Sequence, residues 1–275
     1  MKIAVTGSDG MLGHDIRSAF TDVELIALTL KDFDITDLDK SLSVLKNIRP
    51  DYVIHAAAYT DVDGSERDPD TAYHVNGIGT RNMTMACEAI RCPIVYISSD
   101  YVFDGKKNEP YDEWDTPNPI NQYGLSKFLG EKFVSSLTNR FYIVRTSWLY
   151  GKQGKNFVKT ISRLLLEKDE IDVVDDQVGS PTFTHDLAGT LKGLIGKGYG
   201  TYHITNSSSC SWYEFATEIA RLQSSRIKIN RTTSDAFGLP AKRPAFSVLN
   251  NTILRLEGLN GLRDWKEALK QYLSQ

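Results

Sequence analysis

The chain has 275 residues, 41% of them apolar and 24% charged, with a formal net charge of −3. It has room for one large domain, or a large one with a smaller companion, in an ordinary soluble protein. The charge excludes a basic footprint for nucleic acid and a polybasic membrane patch, so any phosphate must be held locally by backbone amides and a few placed cations.

Three cysteines, Cys87, Cys92 and Cys210, show no paired spacing and no histidine cluster. That predicts reduced core thiols in a cytoplasmic protein, with no metal site. A strand beginning at Lys2 leaves no room for a signal peptide, and no apolar run approaches the ~20 residues that span a bilayer.

Lys2 to Thr6 is a short apolar run rich in β-branched residues, hence a buried strand. It feeds Gly7-Ser8-Asp9-Gly10-Met11-Leu12-Gly13, after which Ile16, Ala19 and Phe20 recur at helical spacing. Strand, glycine turn and helix together form the context for dinucleotide binding. Gly7 permits the tight turn, Gly10 admits a pyrophosphate to the backbone, and Gly13 lets the helix pack closely. The helix N-terminus then offers unpaired amides to the phosphates.

A second strand, Glu24 to Thr29, ends where many dinucleotide folds place an acidic residue on the ribose 2′-hydroxyl. Here the chain reads Thr29-Leu30-Lys31, and Lys31 would attract a 2′-phosphate. Asp34, in the turn and helix cap that follow, is placed to reach an adenine amino group. Asp51 to Ala58 is a strand ending in small residues that leave room for a flat cofactor, with His55 an ordinary strand histidine. Tyr73 to Ala89 reads as a helix containing Asn76. Ile94 to Ser98 is a further strand, delivering Ser99 and Asp100 to the same rim. Such alternation implies a parallel sheet covered on both faces.

Asn121 is the expected cap of a helix running through Glu131, which puts Tyr123 and Lys127 on one face, four residues apart. The ammonium of Lys127 is expected to pull the phenol's pKa down from its usual value of about 10. Ser99 would hold a substrate oxygen. With 13 tyrosines, roughly one such pair arises by chance, so it acquires meaning only beside the glycine turn and Ser99.

Phe141 to Arg145 is another strand. Beyond it the elements shorten: helix Asn156 to Leu166, strand Ile171 to Val174, loop Gln177 to Thr182 and strand Gly200 to Asn206. Helix Trp212 to Leu222, strand Ile227 to Asn230, loop Ala241 to Pro244 and an amphipathic helix Trp265 to Leu273 follow. The expected fold is α/β: a Rossmann-type doubly wound parallel sheet over residues 1–148, with a smaller α/β substrate-binding domain over 149–275. That boundary is soft, since later helices can return to the sheet.

Several motifs recur together: Thr6-Gly7-x-x-Gly10-x-x-Gly13, Ser98-Ser99-Asp100-Tyr101-Val102-Phe103-Asp104-Gly105, and Pro119-x-x-x-Tyr123-Gly124-x-x-Lys127. To these add Arg145-Thr146-Ser147-Trp148-Leu149-Tyr150-Gly151, Asp176-Gln177-x-Gly179-Ser180-Pro181-Thr182 and Arg243-Pro244. Over nearly its whole length the chain resembles the dTDP-4-dehydrorhamnose reductases of the extended short-chain dehydrogenase/reductase family. The resemblance implies NADPH- or NADH-dependent reduction of dTDP-6-deoxy-L-lyxo-4-hexulose to dTDP-L-rhamnose in nucleotide-sugar biosynthesis.

By that resemblance Ser99, Tyr123 and Lys127 are catalytic, with Lys127 also on the nicotinamide ribose. Gly10, Met11 and Leu12 sit at the pyrophosphate, Asp34 and Ile35 near the adenine, and Ala58, Tyr59 and Thr60 along the cofactor. Asp100 and Trp148 line the sugar site, and Arg243 meets the substrate diphosphate. Ser99 replaces the family's commoner threonine and keeps its hydroxyl. No carboxylate cluster suggests a metal, and the resemblance leaves a homodimer open. A related epimerase or dehydratase is the first alternative, although dehydratases follow their Ser/Thr with an Asp-Glu pair and here Tyr101 follows Asp100. The second is a non-catalytic cofactor-binding subunit like the one that accompanies methionine adenosyltransferase.

Overall fold

The computed structural model describes residues 1–275. Five apolar runs of the first half form strands β1 (Lys2–Thr6), β2 (Glu24–Leu28), β3 (Tyr52–His55), β4 (Ile94–Ser99) and β5 (Phe141–Thr146). A sixth strand, Gly200–His203, adds to β5, and the order across the sheet is 200–203, β5, β4, β3, β1, β2, every pair parallel. All six residues of β4 are buried, as a strand covered on both faces requires. The sheet is the Rossmann-type α/β sheet that the motifs imply.

Alternate residues of each strand feed opposite cores. Val5, Val95, Ile97 and Val144 pack with Leu12 and Ile16 of α1 (Met11–Ala19) and with Leu187, Leu191 and Leu194 of the Thr184–Leu194 helix. Ala4, Val53, Ile94 and Tyr96 pack on the other side with Leu45, Met83, Cys87 and Val134. A third core, with Tyr150, Val158, Phe183, Phe215 and Trp265, lies outside the sheet. There Glu170–Val174 pairs in parallel with Lys228–Thr232, two residues beyond where the sequence pattern ends that strand. The chain thus leaves the sheet after β5, returns to it with the helix at 184 and the strand at 200, and leaves again. All three cysteines are free and buried.

The helix expected over Tyr73 to Ala89 divides into a π-helical turn, Tyr73–Gly79, and an α-helix, Thr80–Ala89. Two glycines explain how the wide turn packs. A Cβ at Gly77 would lie 2.6 Å from Leu129 Cδ2, and one at Gly79 would lie 2.7 Å from Ile35 Cδ1. No helix is long and apolar enough to cross a membrane.

One buried ion pair clamps the Gln122–Leu137 helix to the sheet. Arg145 on β5 donates to Glu131 through Nε (2.9 Å) and Nη2 (2.8 Å), and Ser98 Oγ on β4 donates to Glu131 Oε1 at 2.6 Å. Both charged side chains are 5% exposed, and the guanidinium lies 5.1 Å from the Phe103 ring centroid. Removing one partner of such a pair strands the other charge in the interior. Arg145→Met is therefore expected to cost about 3–5 kcal/mol in urea unfolding, with much of the loss recovered in the Glu131→Leu/Arg145→Met double variant. A loss below about 1 kcal/mol in the single variant would contradict the clamp.

Candidate active site

The carboxyl ends of the parallel strands share one rim, and the strand order reverses between β1 and β3, where open α/β sheets bind ligands. The glycine turn lies at that point. Gly7 has φ +66°, and a Cβ there would sit 2.7 Å from the backbone nitrogen of Ala57, just past β3. A Cβ at Gly13 would strike the Gly7 carbonyl oxygen, so α1 closes tightly on the turn. Gly10 caps α1 with no side-chain hydrogen bond, and the first turn has no acid. The amides of Met11, Leu12 and Gly13 are therefore left for an external anion. Ser8 Oγ beside them is buried without a partner. This cradle fits a dinucleotide pyrophosphate.

Past β2, the structure alters the reading of the charge. Asp32 turns back, and its Oδ2 accepts from Thr29 N (2.7 Å) and Thr29 Oγ1 (2.9 Å). A carboxylate thus does sit at the strand's end, three residues later in sequence, while Lys31 is exposed beside it. Asp34 Oδ1 accepts from Thr36 N and Oγ1, and Asn82 Nδ2 holds the carbonyls of Ile35 and Thr36. Ala58, Tyr59 and Thr60 follow β3, fixed by a residue to which the sequence reading gave no role. Asn76, in the π-helical turn, accepts from Tyr59 N (2.8 Å) and donates to Tyr59 O (2.9 Å) and Ser126 Oγ (2.9 Å). His55 is a buried strand histidine between Thr6 Oγ1 and Thr80 Oγ1. Burial first, and the nearby Lys127 second, push its pKa down to about 3.

Asn121 caps the 122–137 helix as expected, its Oδ1 accepting from Gly124 N at 2.7 Å. Gly124 explains how the helix meets the rim, because a Cβ there would collide with the Tyr101 carbonyl oxygen. That approach sets the Tyr123 ring edge-on to Tyr101, centroids 5.8 Å apart, and next to Ser99 and Asp100. Ser99 ends β4 and accepts from Tyr101 N at 3.1 Å.

In this structure the Lys127 ammonium is turned to Tyr96 rather than to the Tyr123 hydroxyl. No hydrogen bond joins Lys127 to Tyr123, and the ammonium lies 4.4 Å from the centroid of the Tyr96 ring. Burial pushes Lys127 down to about 7, against the pull of Glu131. Tyr123 is pushed up to about 12, by burial and then by Asp100, with the Ser99 hydrogen bond opposing. Burial also lifts Asp100 to about 7, against hydrogen bonds from Ser247 and Ser99.

Trp148 and Arg243 are both engaged. Trp148 has φ +48°, rare for a bulky residue, and its ring stacks on Trp212 at 3.5 Å and 4°. A Cβ at Gly179 would lie 2.5 Å from the indole, so only glycine admits it. Arg243 pairs with Asp63 (Nη2 to Oδ2, 2.8 Å) and stands next to Tyr101. The rim brings Ser99, Asp100, Tyr101, Tyr123 and Arg243 together, with Lys127 one turn deeper and Lys31 apart at the end of β2. No group of three or more His, Cys, Asp or Glu is placed to hold a metal.

In ligand-free protein, Tyr123 is therefore expected to stay protonated at pH about 10, where an unperturbed phenol is half ionised. Ultraviolet titration of wild type against Tyr123→Phe reads this directly. A tyrosinate difference already half developed at pH about 10 would contradict the raised value.

Known proteins resemble this chain over its whole length. The family described as the RmlD substrate binding domain matches residues 1–275. The spore coat polysaccharide biosynthesis protein SpsK of Bacillus subtilis (strain 168) is 41% identical over 276 residues, covering 100% of this chain and 97% of that protein. The crystal structure of a dTDP-4-dehydrorhamnose reductase from Bacillus anthracis str. Ames, in complex with NADP, is 43% identical. It has a TM-score of 0.97 and covers 99% of this chain and 98% of its own. A dTDP-4-dehydrorhamnose reductase ortholog from Clostridium acetobutylicum ATCC 824 is 45% identical with a TM-score of 0.97, covering 100% of this chain and 99% of its own. With the match spanning the whole chain, the protein belongs to the RmlD substrate binding domain family.

Proposed function

We propose that this chain is a dTDP-4-dehydrorhamnose reductase, which uses NADPH or NADH to reduce the 4-keto group of dTDP-4-dehydro-L-rhamnose. The observation that carries the reading is the meeting of Ser99 and Tyr123 at the rim, beside a glycine cradle with free amides. Relatives solved under that name at 43% and 45% identity support the substrate, and the NADP in one of them supports the cofactor.

In this reading Gly7, Gly10, Met11, Leu12 and Gly13 hold the pyrophosphate. Asp34 and Ile35 border the adenine, and Ala58, Tyr59 and Thr60 run beside the nicotinamide half. The bound cofactor supplies the hydride. Residues 1–148 hold the cofactor and end at Trp148, while 149–275 add the sugar side through Trp212, on which Trp148 stacks, and Arg243. Arg243 meets the substrate diphosphate while keeping Asp63 as its counter-ion. Asp100 borders the sugar.

Tyr123 is the proton donor. Its raised pKa keeps the phenol protonated at neutral pH, which is the state a donor needs. An alkoxide is more basic than a phenolate, so proton transfer to the nascent alcohol remains downhill. Ser99 hydrogen-bonds the reacting oxygen as charge develops on it. Lys127, when charged, steadies the phenolate left behind and holds the nicotinamide ribose. Dehydration is disfavoured because the position after Asp100 carries the Tyr101 ring, where a dehydratase needs a second carboxyl.

Purified protein with NADPH and the 4-keto sugar nucleotide should consume nicotinamide absorbance, and a flat trace with authentic substrate would end the reading. Tyr123→Phe should cut turnover about 10²–10⁴-fold with cofactor affinity near normal, and unchanged turnover would remove Tyr123 from the chemistry. Lys31 is placed to favour a 2′-phosphate, so Lys31→Ala should lower the NADPH-to-NADH ratio of kcat/KM several-fold, about the worth of one exposed charge contact. A wild type strongly preferring NADH would show that Lys31 makes no such contact.

A further inference from the structure

Ser99 has a single hydrogen, and Asp100 already holds it. Ser99 Oγ donates to Asp100 Oδ1 at 2.9 Å and accepts from the Tyr101 amide at 3.1 Å. The other carboxyl oxygen accepts from Ser247 Oγ at 2.6 Å. Ser247 reaches in from the far end of the chain, on a strap that cannot easily withdraw. Its amide donates to Val178 O, and the Val178 amide donates to Ala245 O, both at 2.8 Å. Asp100 and Ser247 are each 2% exposed.

A hydroxyl offers one hydrogen and two lone pairs. With Asp100 ionised, the Ser99 hydrogen faces the carboxylate, and the remaining lone pair of Ser99 is open to the proton of Tyr123 beside it. Both protons then turn away from a ketone oxygen. With Asp100 protonated, the acid donates to Ser99, both lone pairs are filled, and the Ser99 hydrogen is released. Tyr123 then has no acceptor at Ser99 and presents its proton to the ketone.

We propose that the protonation state of Asp100 sets the direction of this hydrogen-bond chain, and that ketone reduction is carried by the form in which Asp100 is protonated. The proposal rests on the reading that Ser99 and Tyr123 face the ketone oxygen. Ser247 is a positioning residue, acting through Asp100. The carboxyl has no cation among its hydrogen-bond partners, which are the hydroxyls of Ser99 and Ser247. Around it stand Tyr101 and Tyr123, with Arg243 facing Tyr101 and Lys127 on the Tyr123 helix. Burial lifts the carboxyl to about 7, so both forms are present near neutrality.

The protons balance. As hydride makes the new C–H bond, the carbonyl π pair moves to oxygen, the Tyr123 O–H bond breaks and the alcohol O–H forms. Ser99 then gives its proton to the phenolate and takes the one on Asp100. The resulting carboxylate is reloaded by a proton from water after product leaves.

The test is kcat with saturating NADPH and keto sugar from about pH 5.5 to about pH 9 in wild type, Asp100→Asn and Ser247→Ala, joined to infrared spectra of the substrate-free proteins. Wild-type turnover should fall as pH rises through about 7, the direction for an essential acid, to about a tenth of its plateau one unit above the midpoint. In Asp100→Asn the introduced carboxamide would donate an N–H to Ser99 at every pH, so the limb should flatten. Ser247→Ala loses a bond that favours the ionised form, so its limb should move to higher pH by about one unit. Wild type minus Asp100→Asn should show a protonated-carboxyl band at pH about 6 that is gone by pH about 8.5. Titration of Lys127 would leave a limb that neither substitution moves, and that result overturns the proposal, as does a missing carboxyl band. A wild type that oxidises no NADPH with the keto sugar overturns the reductase reading and this proposal together. An active wild type with unmoved limbs overturns this proposal alone.

Discussion

The bidentate contact between Glu131 and Arg145 is the constraint on which the site depends. It fixes the helix carrying Tyr123 and Lys127 against β4 and β5, whose ends carry Ser99 and Thr146. Gly124 then sets how near the helix comes to the rim, because any side chain there would strike the Tyr101 carbonyl. A buried ion pair costs desolvation and is weak as a source of stability, but a geometric one cannot slide as an apolar contact can. Asn76 adds a second tie, joining Tyr59 after β3 to Ser126 on the helix that carries Tyr123. Between them, these contacts fix the 122–137 helix relative to β4, β5 and the segment after β3.

Burial gives the titratable groups of the cleft a common character. It raises Asp100 and Tyr123 and lowers Lys127 and His55, so each is pushed towards its neutral form. In the proposed reduction, with these four groups neutral, the developing alkoxide would be a charge that the dipoles and protons of the cleft answer. This is the electrostatic preorganisation by which active sites gain most of their rate. Trp148 packs against the core outside the sheet, its left-handed backbone held by the stack on Trp212.

Where spacing in the sequence translates into local geometry, the site was legible before any coordinates. The glycine turn and the Asn121 cap lie where their motifs place them, because turn and cap chemistry is decided within a few residues, and the strand expected to end at Ser98 runs one residue further, to Ser99. An i, i+4 spacing fixes the Cβ positions of Tyr123 and Lys127 and not where a four-carbon chain carries its ammonium. Here it goes to the Tyr96 ring. Asp32 is visibly close by in the sequence, but its carboxylate reaches the end of β2 only because the chain doubles back. Asn76, Ser247 and the Asp63–Arg243 pair were out of reach of sequence reading, since their partners lie 17 to 180 residues away. The return of the chain to the sheet at 184 and 200 was left open, as periodicity cannot say which core a helix joins.

A crystal structure of the Tyr123→Phe protein with NADPH and the 4-keto sugar nucleotide tests the central claim most directly. The account predicts the C4 ketone oxygen within hydrogen-bond reach of Ser99 Oγ and against the ring edge of residue 123, with the nicotinamide facing the C4 carbon. A ketone held elsewhere, with residue 123 away from both ligands in the closed complex, would contradict it.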